Sequence, residues 1–188
     1  MNDGNQKGTL QRAEKRGRLM SSSVSVISNF GILAARENRT VNYDAIYGEH
    51  CHRIYSLAFW MTDNELTAEQ LSSNTFLRAF ASTTEPKTEQ IDQAFLAEIR
   101  ELTTIGTLTL NSSVATETKS VSGNVKRVHL ERAIVELPAT EKMIFLLHDV
   151  EGYTHEKIAH LLGLDVKESQ FGLHQARLQM RELISRMS

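Results

Sequence analysis

Three apolar segments follow one another near the end of the chain, and two glycines separate them. Within each segment, apolar residues recur at the spacing of a helix face. Gly152 and Gly163 stand between the segments, and glycine adopts the positive φ of a tight turn without steric cost. Residues 137–184 therefore predict a helix-turn-helix, a motif whose last helix normally enters a DNA major groove.

Polar residues at the expected helix starts support this prediction. Thr140, after Pro138, is the predicted N-cap of the first helix, and Thr154 is that of the second. Asp165 and Glu168 have the spacing of a capping box at the start of the third. The residues predicted to face the core are Met143, Ile144, Leu146, Leu147, Val150, Ile158, Ala159, Leu161, Leu162, Val166, Ser169, Leu173, Ala176, Met180 and Leu183.

Periodicity and composition together favour an all-α protein. Only two prolines occur, and the other apolar stretches also have helical spacing. A length of 188 residues with 40% apolar residues is enough for one domain or two small ones. The single cysteine, Cys51, excludes an internal disulfide framework and fits a reducing cytoplasm. No apolar run reaches the ~18 residues of a membrane helix, so we expect no membrane partner.

Two stretches of the chain carry a specific resemblance. Leu137 to Ile184 resembles the promoter-recognising domain of bacterial RNA polymerase sigma factors of the extracytoplasmic-function type. Residues 43–80 resemble the polymerase-binding domain of that family, and the two matches occur in the family's order. The C-terminal residues that fit the family pattern are Leu137, Pro138, Phe145, Leu147, Glu151, Gly152, Ile158, Ala159, Leu162, Gly163, Val166, Leu173, His174, Ala176 and Arg177.

The resemblance implies two small helical domains joined by a flexible linker, the C-terminal one being the helix-turn-helix. Residues 1–42 are expected to form a flexible basic arm. Residues 43–110 are expected to bind core polymerase and open the promoter. Residues 111–128, which lack helical periodicity, are the expected linker, and residues 129–188 are the expected promoter-recognition domain.

The resemblance also indicates which residues meet the partners. In the second helix of the upstream half, the expected core-polymerase-binding residues are Glu69, Gln70, Ser73, Asn74, Leu77 and Arg78. In the last helix, the expected DNA-binding residues are Lys167, Gln170, Phe171, His174, Gln175 and Arg177. Glutamine can bond an adenine edge through two atoms, which is worth about 1 to 3 kcal/mol of discrimination.

Positive charge is scarce where DNA would bind. Residues 43–110 carry four Lys and Arg against ten Asp and Glu, and residues 129–188 carry seven against nine. Gln170, Gly172 and Gln175 stand where the family commonly has Lys, Arg and Arg. Upstream, Leu102 and Gly106 stand for the family's Asn and Asp, and its following arginine pair is absent. Because phosphate contacts supply much of the affinity for DNA, we expect weakened DNA binding and promoter opening.

Two residues lie off the predicted core face of the last helix. Phe171 and Leu178, seven apart, predict a second apolar strip. The strip fits packing between domains or a partner surface, and packing is the favoured interpretation.

Catalytic chemistry is not expected. His155 and His160 are five positions apart, and not the four that place two zinc ligands on one helix face. Residues 50–52 hold two histidines and a cysteine in succession, but neighbours on a helix point about 100° apart. We therefore expect a non-enzyme without metal, cofactor or small-molecule substrate.

Two functions follow from these observations. The first is a cytoplasmic sigma factor that binds core RNA polymerase and promoter DNA, for which the resemblance also allows an anti-sigma factor as partner. The second is a degenerate sigma-like regulator or protein-interaction module that keeps the fold but lacks autonomous promoter opening.

Overall fold

A computed structural model describes residues 42–109 and 125–187. Regular structure in these two ranges is entirely helical, with no strand, which confirms the all-α prediction. The predicted arm and linker lie outside the described residues, apart from residue 42 and residues 125–128.

Seven α-helices and one π-helical turn make up the described chain. Helix α1 takes in residues 42–62. The upstream half continues with α2, Glu65–Ser82, and α3, Thr88–Leu102. The remaining elements are α4 (Arg127–Val135), α5 (Ala139–Phe145), the π-helical turn (Leu146–Val150), α6 (His155–Leu162) and α7 (Val166–Met187).

The ends of the helix-turn-helix are formed by the residues that the sequence predicts. The Thr154 hydroxyl caps α6 by accepting from the Lys157 N–H. Gly163 ends α6 with φ +74°, a left-handed conformation that suits glycine. Asp165 accepts from the Glu168 N–H at 2.7 Å, and Glu168 accepts from the Asp165 N–H at 2.8 Å. The capping box at the start of α7 is therefore confirmed.

Two expectations for the preceding helix were wrong. The N-cap of α5 is Pro138, and the Thr140 hydroxyl instead donates to the carbonyl oxygen of Thr107 at 2.7 Å. Val150 is not in the core: its side chain is 58% exposed. The helix widens into a π turn from Leu146, which changes the angular spacing and rotates Val150 away from the apolar face.

A compact unit begins at Ile46, and one apolar core runs through both of its helical parts. Of the chain before Ile46, the structure describes residues 42–45, which are helical. Within the main core, Phe95 and Ile99 of α3 are joined by Ile144 of α5 and Ile158 of α6. A second apolar cluster joins α4 to the C-terminal part of α7 and contains Ala133, Leu137, Ala176, Met180 and Ile184.

Candidate functional site

The outer face of α7 carries the residues expected to read DNA. Lys167, Gln170 and His174 are exposed at helical spacing near the N-terminal end of α7, and Gln175 beside them is half-buried. In helix-turn-helix proteins this end of the last helix contacts base edges. The structure therefore brings these side chains to one outward face. Their contact with DNA stays a prediction.

Phe171 belongs to the same face. Phe171 is 45% exposed and belongs to neither apolar core of the described residues, so packing between the halves accounts for only part of its surface. Phe171 borders an open groove of about 440 Å³, lined by Gly106, Thr107, Leu108, Leu164, Lys167, Glu168 and Phe171. The aromatic ring of Phe171 is therefore open to contact by a molecule that binds the outward face of α7.

Gly172 does not stand on the outward face, although its alignment with a family arginine placed it there. It is buried, and a Cβ at this position would lie 2.5 Å from Ile144 Cδ1 and 2.8 Å from Leu108 Cδ2. The glycine therefore allows two side chains to pack closely against α7. The missing cation at position 172 reflects packing and not the loss of a DNA contact.

Arg177 is exposed but engaged. Its guanidinium donates to Asp149 through Nη2 to Oδ1 at 2.6 Å and Nε to Oδ2 at 3.1 Å. Burial acts to raise the pKa of Asp149, but hydrogen bonds from Arg177 and His148 outweigh it and hold the pKa below its ordinary value. Arg177 is thus committed to an internal ion pair, which the sequence analysis missed.

A histidine pair lies beside this ion pair. The rings of His148 and His155 stack with centroids 4.6 Å apart, and His155 Nδ1 lies 3.0 Å from the Ser169 hydroxyl oxygen. Burial, and then the neighbouring His148, lower the pKa of His155. The pair supports the packing of α6 against the π-helical turn.

The outer face of α2 forms the second surface. All six residues expected to bind polymerase are exposed: Glu69, Gln70, Ser73, Asn74, Leu77 and Arg78. Leu66 and Leu77 are 74% and 68% exposed and lie eleven residues apart, on one side of the helix. The sequence analysis did not include Leu66 in this surface, although its spacing from Leu77 indicates that both side chains lie on the same side of α2.

Arg78 differs from the rest of this surface because it holds α2 to α3. Its guanidinium bonds to Glu98, and its Nη2 donates to Glu101 Oε1 at 2.6 Å. The hydrogen bond to Glu98 is the main cause that raises the pKa of Arg78. The remaining α2 surface is therefore polar in its centre, with a leucine at each end.

A polar cluster around the buried Asp92 joins the upstream helices to the helix-turn-helix, and its other members are Arg53, Glu151, Tyr153 and Lys157. Asp92 is only 3% exposed, and it accepts from Arg53 Nη2 at 2.7 Å and from the Tyr153 hydroxyl at 2.7 Å. Lys157 Nζ lies 3.3 Å from Asp92 Oδ2 and 3.3 Å from the Tyr153 ring centroid. Burial and the hydrogen bond to Asp92 raise the pKa of Tyr153, which therefore stays protonated.

The capped turn, the long last helix and its outward polar face define a helix-turn-helix protein, the class in which that helix reads DNA. Residues 127–180 match the family described as Sigma-70, region 4. The extracytoplasmic-function (ECF) RNA polymerase sigma factor SigE of Mycolicibacterium smegmatis is 24% identical over 163 residues, covering 78% of this chain and 63% of the relative. The chain thus spans less than two thirds of that relative.

A solved structure has a similar fold. It is the sigma factor RpoE in complex with the anti-sigma factor NepR, from Bartonella quintana, with a TM-score of 0.52 and 15% identity over 74% of this chain and 96% of that one. The resemblance to sigma factors of the extracytoplasmic-function type is confirmed by these matches. Across the described ranges, no helix combines the length and apolarity needed to cross a membrane.

Proposed function

We propose that this chain is a sigma factor that binds core RNA polymerase through α2 and directs it to promoter DNA through α7. The observation that carries the proposal is the outward face of α7, where Lys167, Gln170, Phe171 and His174 lie together within a region matched to Sigma-70, region 4. In this proposal the chain is cytoplasmic and has no catalytic activity of its own.

Promoter recognition depends on few residues. In this proposal Gln170 bonds an adenine edge, and Phe171 contacts a thymine methyl group. Lys167 is an exposed cation that positions the helix on phosphate, and His174 and Gln175 complete the surface. Because Arg177 is paired with Asp149, the binding relies more on base contacts than on phosphate contacts.

Polymerase binding depends on the exposed face of α2. Leu66 and Leu77 offer apolar area at the two ends of a polar strip formed by Glu69, Gln70 and Ser73. Fully burying an exposed leucine side chain against a partner is worth about 1.5 to 3 kcal/mol. Arg78, held by two glutamates, fixes the surface against α3.

An anti-sigma factor is a further proposed partner, since the similar RpoE structure contains one. The second candidate function is a sigma-like regulator without promoter opening. Arg177 pairs with Asp149, and Arg78 pairs with Glu98. These ion pairs favour the regulator, because they withdraw both cations from DNA and from polymerase.

Pull-down of purified core polymerase and run-off transcription on a genomic promoter library test the proposal. Initiation at specific promoters supports the sigma factor, whereas polymerase binding without initiation on any promoter supports the regulator. Leu77→Ala should weaken polymerase binding about tenfold, as expected for an interface residue worth more than ~1 kcal/mol. The control Leu102→Ala removes a leucine that is also exposed, at 56%, but lies at the end of α3. An equal loss in both variants argues against the α2 surface.

A further inference from the structure

One side of α7 is largely uncovered along four turns of the helix. Phe171 is 45% exposed and Leu178 is half-buried, and neither belongs to an apolar core of the described residues. Seven positions make almost two full turns, so the two side chains lie on the same side of α7. Exposed charges flank them at both ends. This side, here named the α7 strip, consists of Lys167, Glu168, Phe171, Leu178, Arg181 and Glu182.

The α7 strip is complementary to its own reverse. Lys167 precedes Phe171 by four positions, and Glu182 follows Leu178 by four. When two copies of α7 are laid antiparallel with Phe171 opposite Leu178, Lys167 therefore falls opposite Glu182. The outer pair is thus an opposite-charge pair at each end of an apolar contact.

The inner charges agree with the same register. Glu168 falls opposite Arg181, which is again an opposite-charge pair, and the two-fold axis passes between His174 and Gln175. In a symmetric dimer each contact occurs twice, because residue i contacts residue j and j contacts i. In a parallel arrangement every charge would instead face its own copy. The charge order therefore selects the antiparallel arrangement.

The charges of the α7 strip are accessible. Among the described residues, neither Lys167 nor Arg181 takes part in an ion pair, and both are exposed. Glu182 is paired with Arg186 of the same helix, but its side chain is 60% exposed. Glu168 uses Oε2 in the capping box, and its residue is also exposed. A second copy can therefore reach all four charges.

The surroundings of Phe171 leave space for a second helix. The open groove of about 440 Å³ beside Phe171 is larger than any single side chain, and Lys167 and Glu168 also line it. In the antiparallel register, Leu178 and Arg181 of the second copy lie opposite these residues. The groove can therefore receive side chains of the second copy.

We propose that the α7 strip is a homodimerisation surface, through which two copies of this chain associate by antiparallel α7 helices. A contact between two single helices is at the small end of specific interfaces, which bury about 1,200 Å² or more, so we expect a Kd of about 10 to 100 µM. The α7 strip shares Lys167 and Phe171 with the proposed DNA-reading face, so a second copy and DNA compete for it. DNA titrations at lower chain concentrations report the monomer.

The inference goes beyond the proposed function and does not rest on it, because self-association needs neither DNA nor polymerase. Sedimentation equilibrium of the full chain, without nucleic acid, measures the Kd. Lys167→Glu and Glu182→Lys each replace two attractions in the dimer by two repulsions, and we expect each to raise the Kd at least about tenfold. Both changes suit the helix dipole, so α7 should stay folded, and circular dichroism checks this.

Restoring the pairs in two ways gives the decisive measurement. An equal mixture of Lys167→Glu and Glu182→Lys should associate with nearly the wild-type Kd, because both outer pairs are then opposite in charge. The double variant should do the same. Within one chain the two positions are about 22 Å apart along α7, too far for direct contact, so restoration reports a contact between copies. The double variant also decides the question if one single variant loses helical structure.

Two controls match these variants. Glu49→Lys makes the same change of net charge on α1, at a side chain that is 73% exposed, and should dimerise like the wild type. Leu178→Ala should raise the Kd about tenfold, because each dimer contains this leucine twice. Leu102→Ala removes a leucine that is 56% exposed, at the end of α3, and should have no effect.

Three results would overturn the proposal. The first is a wild type that stays monomeric up to about ten times the upper expected Kd. The second is a mixture or double variant that associates no better than the single variants. The third is an equal loss in a control and in its matched variant. None of these results bears on promoter recognition, which transcription measures separately.

Discussion

The guanidinium of Arg177 and the carboxylate of Asp149 face each other as a two-point ion pair, with nitrogen-to-oxygen distances of 2.6 and 3.1 Å. The pair joins the middle of α7 to the π-helical turn that precedes α6. Two hydrogen bonds to one carboxylate fix the direction of the guanidinium. Arg177 therefore offers less positive charge to DNA than its exposure suggests.

Releasing Arg177 should strengthen DNA binding. We expect Asp149→Ala to tighten binding to duplex DNA of any sequence, because the freed guanidinium gains a phosphate contact. The slope of log affinity against log salt should then steepen by about 0.9, the value for one further phosphate. Anisotropy titrations at several salt concentrations measure both effects. The free energy of unfolding should fall by less than about 1 kcal/mol, since the pair is partly exposed.

The control for this prediction is Glu182→Ala. It releases Arg186, which is also on α7 but close to its C-terminal end. Both variants change the net charge by the same amount, and only the first places the new cation near the predicted DNA face. An equal gain from Glu182→Ala would show that net charge, and not the position of Arg177, controls the binding.

Gly172 offers a second test, on stability. Alanine is the better helix former by about 1 kcal/mol, but overpacking a core costs about 1 to 3 kcal/mol. Because the new Cβ would lie 2.5 Å from Ile144 Cδ1, we expect packing to prevail. Gly172→Ala should lower the free energy of unfolding by about 1 kcal/mol, measured by urea denaturation.

Gly48→Ala provides the comparison, since position 48 of α1 has open space around a Cβ. Here only helix propensity acts, so the free energy of unfolding should rise by about 1 kcal/mol. A rise at both positions would contradict the packing role of Gly172.

The ends of the helix-turn-helix could be predicted because their causes lie within a few residues. Thr154, Gly163 and the Asp165 to Glu168 box act on their own turn of chain, and all of them are found as predicted. Thr140 has the same local pattern but a different role. Its hydroxyl bonds Thr107, 33 positions away, and no local pattern reports so distant an acceptor.

The candidate site could be predicted as a face but not in its contacts. Helical spacing correctly groups Lys167, Gln170 and His174, because the period of a helix alone sets their direction. Tyr153, a partner of Asp92, lies 61 positions away, and this contact depends on how the two halves pack. The burial of Gly172 depends on packing against Leu108 and Ile144. The family pattern therefore aligns Gly172 with an arginine but does not show that this position faces the core.

Glu141 predicts a pH dependence of stability. Burial raises the pKa of this carboxyl group above its ordinary value of 4.5. Glu141 thus binds its proton more tightly in the folded state than in the unfolded state. The free energy of unfolding therefore falls as the pH rises from about 4.5 through the raised pKa, because the folded state then loses this proton. We expect Glu141→Gln to raise the free energy of unfolding at pH 7 by about 1 kcal/mol, near the lower cost of an unpaired buried polar group.

The pH profile distinguishes this effect from a simple packing gain. The difference between Glu141→Gln and the wild type should shrink to a small constant as the pH falls below about 4.5, where both side chains are neutral. A difference that is the same at every pH would exclude titration of Glu141 as its cause.

Phe171 predicts a specific dependence on thymine. Its exposed ring lies beside Gln170 near the N-terminal end of α7, where an apolar side chain can contact the 5-methyl group of thymine. We expect Phe171→Ala to weaken binding about fourfold to a duplex that the chain selects from a random pool, since one buried methyl is worth about 0.8 kcal/mol. Replacement of the thymines of this duplex by uracil should weaken wild-type binding similarly. With the uracil duplex, Phe171→Ala should cause little further loss, because the partner of the ring is already gone. Equal losses from Phe171→Ala on both duplexes would show that Phe171 acts without contacting the methyl group.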